Sequence, residues 1–398
     1  MRLYLLALNP TDSVTQGFLP AAARLGLTVT VLTDHAEPHR RAYAGSEHAP
    51  EVLECAVRDH REVIALISRL PRPDAVFSNS DHLQEQTALA AGYFGLPAKD
   101  WRAALRTKNK AELRRHLAAA GLDHVHAAEL PPGLPPAALA PPFPCVVKPR
   151  EGVASEDVVL AEDADALAAA VADIRTRRPD AALVVEEYLA GELHTLETLG
   201  DGTVRHVLGG FHTRLSPPPQ FVEEALVYLP AHPEAVTAQV LAQLDALGVG
   251  LGACHTEFVL QADGRVRLVE VNYRAIGDTC DLMLAELLEI PFFEHVLNAH
   301  LGVPLPAELG ARTDRRARNQ AVIADRAGTL TAAPGPYRGE RDGVTLSYQP
   351  ARELGESRPL SGTNRDYLGL VRAVGPDQRS VDRAVDDFLA AHRWEITG

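Results

Sequence analysis

Residues 254–272 constrain this chain most: Cys-His-Thr-Glu-Phe-Val-Leu-Gln-Ala, then Asp263-Gly264, then Arg-Val-Arg-Leu-Val-Glu-Val-Asn. Asp-Gly between two apolar runs is a strong hairpin signal, because both residues accept the backbone angles a two-residue turn requires. If they form that turn, Ala262 faces Arg265, and counting back sets Glu257 opposite Glu270 and His255 opposite Asn272. Strand side chains alternate, so these four share one face. Thr256, Phe258, Leu260, Val269 and Val271 make the other, which reads as a core face.

Two carboxylates about 5 Å apart across a sheet repel by roughly 3 kcal/mol at an effective dielectric near 20. A divalent cation turns that repulsion into binding. Oxygen ligands from Glu257, Glu270 and Asn272 suit Mg²⁺, which takes few protein ligands and shares a substrate's phosphates. The same pair could equally stand as solvated glutamates at a sheet edge, or share one proton.

The rest of the chain alternates in type. Residues 3–8, a helix near 18–25 and the apolar run 28–33 spell strand, helix, strand, the opening of a parallel sheet. A helix over 49–70, a strand at 74–78 and a helix through Ala91 complete a small α/β unit. No G-x-G-x-x-G follows the first strand, so a dinucleotide site there lacks its phosphate-binding turn. A helix over 108–120 and a proline-laden linker at 131–144 lead to a strand at 145–148. Strands then follow at 158–160, 183–189, 193–199, 204–209 and in the hairpin, with helices at 164–175 and 234–247, which implies antiparallel sheets. Glycines 248, 250 and 252 follow a helix and enter a strand, the reverse of a dinucleotide loop, and read as a connector. A smaller module with a helix at 380–392 closes the chain. The expected class is therefore an α/β and α+β multidomain fold, divided at 1–100, 101–305 and 306–398.

Composition excludes several functions. With 39 Lys plus Arg against 53 Asp plus Glu, the formal charge is −14, which repels a phosphate backbone and argues against nucleic-acid binding. No apolar run approaches the roughly 18 residues that span a bilayer, so no membrane role is expected. The cysteines, at 55, 145, 254 and 280, form no Cys-x-x-Cys pair, which fits a reducing cytoplasm.

Other pieces join the hairpin in order. Asn109-Lys110 lies on the helix of 108–120, Phe143 to Pro149 places Lys148 on a strand end, and residues 152–157 form a short loop containing Ser155. Val185-Glu186-Glu187-Tyr188-Leu189 ends a further strand, and Glu270-Val271-Asn272-Tyr273-Arg274 closes the hairpin. Taken together, residues 100–301 resemble the ATP-grasp superfamily of carboxylate ligases. The resemblance implies an ATP-grasp fold with an N-terminal Rossmann-like α/β domain and a small C-terminal module. It implies ATP bound by Lys110, Lys148, Ser155, Glu186, Glu187 and Leu189, and Mg²⁺ on Glu257, Glu270 and Asn272. Arg274 and Lys148 would act on the reacting groups, with Arg274 on the ligand face if the strand stays extended. The family's Gly-x-Glu for the ribose is absent; Gly191-Glu192-Leu193 stands there, and Glu192 is the expected substitute.

By this resemblance the chain is an ADP-forming carboxylate–amine ligase acting on small-molecule acids and amines, amino acids among them, through an acyl phosphate. Some relatives serve siderophore or other specialised pathways, and a homo-oligomer is compatible with the family. The alternatives are a phosphotransferase or carboxylase component, for which no carrier segment is seen, and a non-catalytic nucleotide-binding regulator, for which a lost lysine or metal ligand would be the sign.

Overall fold

The computed structural model describes residues 1–310 and 312–398. Its first part carries a four-stranded parallel sheet ordered Glu51–Glu54, Thr28–Thr33, Arg2–Leu6, Ala75–Phe77. The inner strands are buried on both sides, as parallel strands flanked by helices must be. One sequence expectation fails here. The helix expected over 49–70 is a strand, Glu51–Glu54, and a shorter helix, His60–Ile67. Pro50 favours extended backbone before it, and Asp59 starts the helix by accepting the Arg61 amide at 2.8 Å.

The helix expected over 108–120 is present as Lys110–Ala119, and a further helix precedes it. Trp101–Lys108 and Lys110–Ala119 meet at Asn109, whose carboxamide oxygen accepts the amides of Ala111 and Glu112 at 3.1 Å each. That cap sets Lys110 at the first position of the second helix. An antiparallel four-stranded sheet follows, ordered Ala127–Leu130, Leu183–Glu187, Cys145–Pro149, Val159–Ala161. The helix Ala164–Arg177 covers it, burying Leu167, Val171 and Ile174, spaced four and three residues apart on one stripe. Each such side chain stabilises the layer by about 1.5–3 kcal/mol.

Among the described residues the large sheet has ten strands. It begins with the hairpin, Val266–Asn272 and Leu251–Leu260, and passes through Glu192–Asp201, Gly210–Leu215, Glu223–Leu229, Arg316–Ile323, Tyr367–Gly375 and Val344–Pro350 to Tyr337–Arg341. Arg205–Val207 pairs with Glu192–Asp201 off this path. The sheet thus runs without a break from the central region into residues beyond 305, because Glu223–Leu229 pairs directly with Arg316–Ile323. Helices Glu234–Leu247 and Lys110–Ala119 pack on the hairpin around Phe258, Leu268 and Val271. Gly248, at φ +85°, ends the first of these helices in the left-handed conformation open to glycine, and the chain turns from there into the hairpin. Helices Cys280–Leu288 and Phe292–His300 pack among the core side chains shared with the N-terminal sheet. The four cysteines are free thiols, and no helix among the described residues is long and apolar enough to cross a membrane.

Candidate functional site

The hairpin delivers the expected pairing by an unexpected route. Gln261 and Arg265 close a three-residue loop, with Gly264 at φ +81° and its amide on the Gln261 carbonyl at 2.9 Å. A three-residue loop shifts the register by one. A bulge compensates: Glu257 pairs with Glu270 and His255 with Asn272, but Phe258 pairs with Leu268, so Val269 is skipped. Val269, expected in the core, is turned by the bulge to line a cleft instead.

That cleft lies between the two antiparallel sheets. The smaller sheet and the residues after it supply Val146, Lys148, Glu186, Glu187, Tyr188 and Leu189. The larger sheet supplies Leu193, Glu257, Val259 and Glu270, the helix start supplies Lys110 and Arg114, and the 152–156 turn supplies Ser155. A second cavity adjoins it, sharing Ser155, Glu223, Glu257 and Glu270, and reaches Thr195, His255, Asn272, Arg274, Asp278 and Asn364. The first is walled largely by apolar side chains and suits a flat ring; the second is polar.

At the junction the charges are paired. Lys110 Nζ lies 2.8 Å from Glu270 Oε1 and 3.3 Å from the Gly152 carbonyl. Burial opposes both charges, yet each partner outweighs it, so Glu270 is held below the usual carboxylate range and Lys110 above the usual amine range. His255 Nδ1 donates to Glu197 Oε1 at 2.7 Å, and its Nε2 lies 3.3 Å from Glu257 Oε1. Burial disfavours the imidazolium, but Glu197 and Glu257 prevail and push His255 up to about 10. Asn272 Nδ2 donates to Glu257 Oε1 at 3.3 Å, which leaves its carbonyl oxygen as the atom it can offer. The donor set of Glu257, Glu270 and Asn272 is therefore all oxygen and fits a small hard cation such as Mg²⁺.

Glu186 does not stand free to read a base edge. Arg114 grips it with two bonds, Nε to Oε1 at 2.9 Å and Nη2 to Oε2 at 3.2 Å, and Lys148 Nζ lies 2.7 Å from Oε2. Burial raises its pKa, but the two cations dominate and hold it well below the ordinary range. The Glu187 and Tyr188 amides are also engaged, on the carbonyls of His126 and Pro144 at 2.9 and 3.0 Å. Glu186 thus positions Lys148, with Arg114 as the residue sequence reasoning missed. An arginine one helical turn beyond Lys110, on the same stripe, was the signal available.

Two further expectations change. Glu192 is exposed and lies outside the cleft lining, because strand alternation turns Leu193 inward in its place. Arg274 does reach the second cavity, but not on an extended strand. The strand ends at Asn272, and the Arg274 amide turns back onto the Asn272 carbonyl at 2.7 Å. Glu223, not singled out from sequence, touches both cavities. Burial and the nearby Glu257 and Asp278 push it up to about 8, and Asn364 donates to it at 3.1 Å. The 152–157 turn, with Ala154, Ser155 and Asp157 at positive φ, is pinned over the junction by Glu156 to Arg365 and by the Asn364 amide on the Ala154 carbonyl.

Comparison with known proteins agrees with this architecture. Residues 141–282 match the model of the ATP-grasp domain. The structure is similar to that of L-amino acid ligase from Bacillus licheniformis, at a TM-score of 0.82 and 23% identity, covering 100% of this chain and 99% of that one. It is similar to phosphoribosylglycinamide synthetase from Anaerococcus prevotii, at 0.73 and 13%, covering 100% and 99%. It is also similar to N5-carboxyaminoimidazole synthetase from Staphylococcus aureus complexed with ADP, at 0.67 and 14%, covering 98% and 96%. No curated protein matches the sequence. The fold is the ATP-grasp fold.

Proposed function

We infer that this chain, built on the ATP-grasp fold, is an ADP-forming ligase that joins a small carboxylic acid to an amine. The observation that carries this reading is the meeting of two unlike cavities at Glu257 and Glu270. The apolar cleft suits a nucleotide base, with Tyr188, Leu189 and Val259 against it and Lys110, Lys148 and Ser155 toward the phosphates. Mg²⁺, held by Glu257, Glu270 and Asn272, supplies charge neutralisation at phosphate oxygens when bound.

The second cavity sets one guanidinium, Arg274, beside the carboxyl groups of Glu223 and Asp278, which burial holds toward the neutral form and a bound ammonium would re-ionise. This pattern supports a substrate carrying both a carboxylate and an ammonium. Arg274 holds the carboxylate, and a carboxylate oxygen attacks the terminal phosphorus of ATP as ADP departs. The amine then attacks the acyl carbon, and phosphate leaves with that oxygen. Lys148, aimed by Glu186, and Lys110 balance the charge that spreads over the transferred group. Catalysis on this reading is mostly positioning and electrostatics. An amino acid is the substrate class these groups favour; a place in specialised metabolism, siderophore assembly included, rests on family resemblance alone.

The test is to supply ATP and Mg²⁺ with amino acids singly and in pairs, and to separate the nucleotides by chromatography. ADP and phosphate released in step with amide are expected. AMP and pyrophosphate with amide would replace this mechanism by an adenylating one.

A further inference from the structure

On the opposite face of the large sheet from the cleft, the structure assembles three metal-ligating side chains that the ligase reading does not use. His194 and His212 are register partners on adjacent antiparallel strands, and Glu192 stands two residues before His194 on the same face. The intervening Leu193, with Thr195 and Thr213, faces the cavities instead. One ligand atom from each of Glu192, His194 and His212 lies within 4.8 Å of the other two.

A second observation sets this cluster apart from a chance grouping. His194 is 7% exposed, and neither ring nitrogen has a hydrogen-bond partner among the described residues. Its Nε2 lies 3.5 Å from Glu192 Oε2, the direction in which the cluster opens to solvent, since Glu192 is 73% exposed. A buried imidazole with both nitrogens idle forfeits hydrogen bonds it had in water. The His232 ring stands perpendicular at 5.3 Å with Nε2 on the Thr195 carbonyl at 2.8 Å, and the Phe258 ring stacks at 5.9 Å, walling the inner side.

We propose that Glu192, His194 and His212 bind a transition-metal dication of the zinc class, with solvent water in the remaining position. Two imidazoles and one carboxylate are a donor set for zinc or cobalt, whereas magnesium prefers the oxygen-only face of the hairpin. The chain thereby sorts two kinds of dication to the two faces of one sheet. The zinc-class ion ties Glu192–Asp201 to Gly210–Leu215, strands whose other faces line the cavities.

The test is equilibrium dialysis of the whole chain against zinc in a large excess of magnesium, with bound metal counted by mass spectrometry. Wild type is expected to retain one zinc per chain and to show a higher melting temperature with zinc than without. Glu192→Gln and His212→Asn, at the two more accessible ligands, should each weaken zinc binding at least about tenfold and lose the zinc-dependent rise. His48→Asn, exposed and remote in sequence, should change neither. Cobalt added to wild type should give the visible absorption of a four-coordinate nitrogen–oxygen site, a readout that needs no variant. Failure to retain zinc, or zinc affinity unchanged in either ligand variant of intact circular dichroism, would overturn the proposal.

Discussion

Lys110 Nζ sits 2.8 Å from Glu270 Oε1, so the first turn of a helix is tied to the carboxylate face of the hairpin. Both side chains are largely buried, at 7% and 17% exposure. Glu270→Gln therefore does more than relieve repulsion with Glu257; it leaves a buried ammonium without its counter-charge. The expected outcome is a loss of about 1–3 kcal/mol of stability, because glutamine still accepts one bond, together with a raised magnesium requirement for turnover. A double-mutant cycle with Lys110→Met, read by urea unfolding, should show the two losses to be less than additive. Strict additivity would mean that the pair is not coupled.

Glu186 carries a sharper expectation. Glu186→Ala strands Arg114 and Lys148 together in the interior, at a cost of about 3–5 kcal/mol. The acid side follows from the depressed pKa. The contribution of Glu186 is complete above the ordinary carboxylate value of 4.5 and is lost as pH falls below it toward the folded-state pKa. Unfolding measured at a series of pH values should show a shallower acid decline for Glu186→Gln than for wild type. Parallel curves would remove Glu186 from the acid transition.

Lys99 works in the opposite window. Burial pushes it down to about 7 from 10.5, although it donates to Gln84 Oε1 at 2.7 Å and to the Tyr273 carbonyl. Between pH 7 and 10.5 the unfolded chain holds a proton that the folded chain has released, so this group makes stability rise with pH across that range and is silent below it. The difference between wild type and Lys99→Met, followed by denaturant titration, should carry that slope. A constant difference from pH 7 to 10.5 would refute it.

Arg274→Lys should slow phosphoryl transfer by more than it weakens ATP binding, because lysine keeps the charge but loses the planar fork that can hold two oxygens. A carboxylic acid labelled with ¹⁸O should pass one labelled oxygen into the released phosphate. Unlabelled phosphate alongside stoichiometric amide would exclude the acyl phosphate and the role given to Arg274.

Much of the site could be read from sequence because its ligands lie on strands whose period is fixed. The pairing of Glu257 with Glu270 emerged correctly from a count that was wrong twice. The loop has three residues, not two, and the bulge at Val269 takes the extra residue back out. Neither departure is written in local propensity, since Asp263-Gly264 serves both loop lengths. Residues 51–54 were misread because a four-residue strand inside a long mixed-polarity run offers too few alternations to defeat a helical pattern. The grip of Arg114 on Glu186 joins residues 72 apart, and the outward turn of Glu192 depends on which face of the sheet the cleft occupies; both are tertiary facts.

The contact between Asn364 and Glu223 spans 141 residues, and it has a consequence for how the protein is made. At the roughly 5–20 residues per second of translation, strand Glu223–Leu229 leaves the ribosome on the order of ten seconds before Asn364 is synthesised. Until Arg316–Ile323 also emerges, that strand is an open edge beside a half-built cavity, offering its backbone to any passing strand. The order of synthesis thus makes the late residues the closing clasp of a site whose chemistry is encoded earlier, and the nascent chain's hazard is mispairing at that edge.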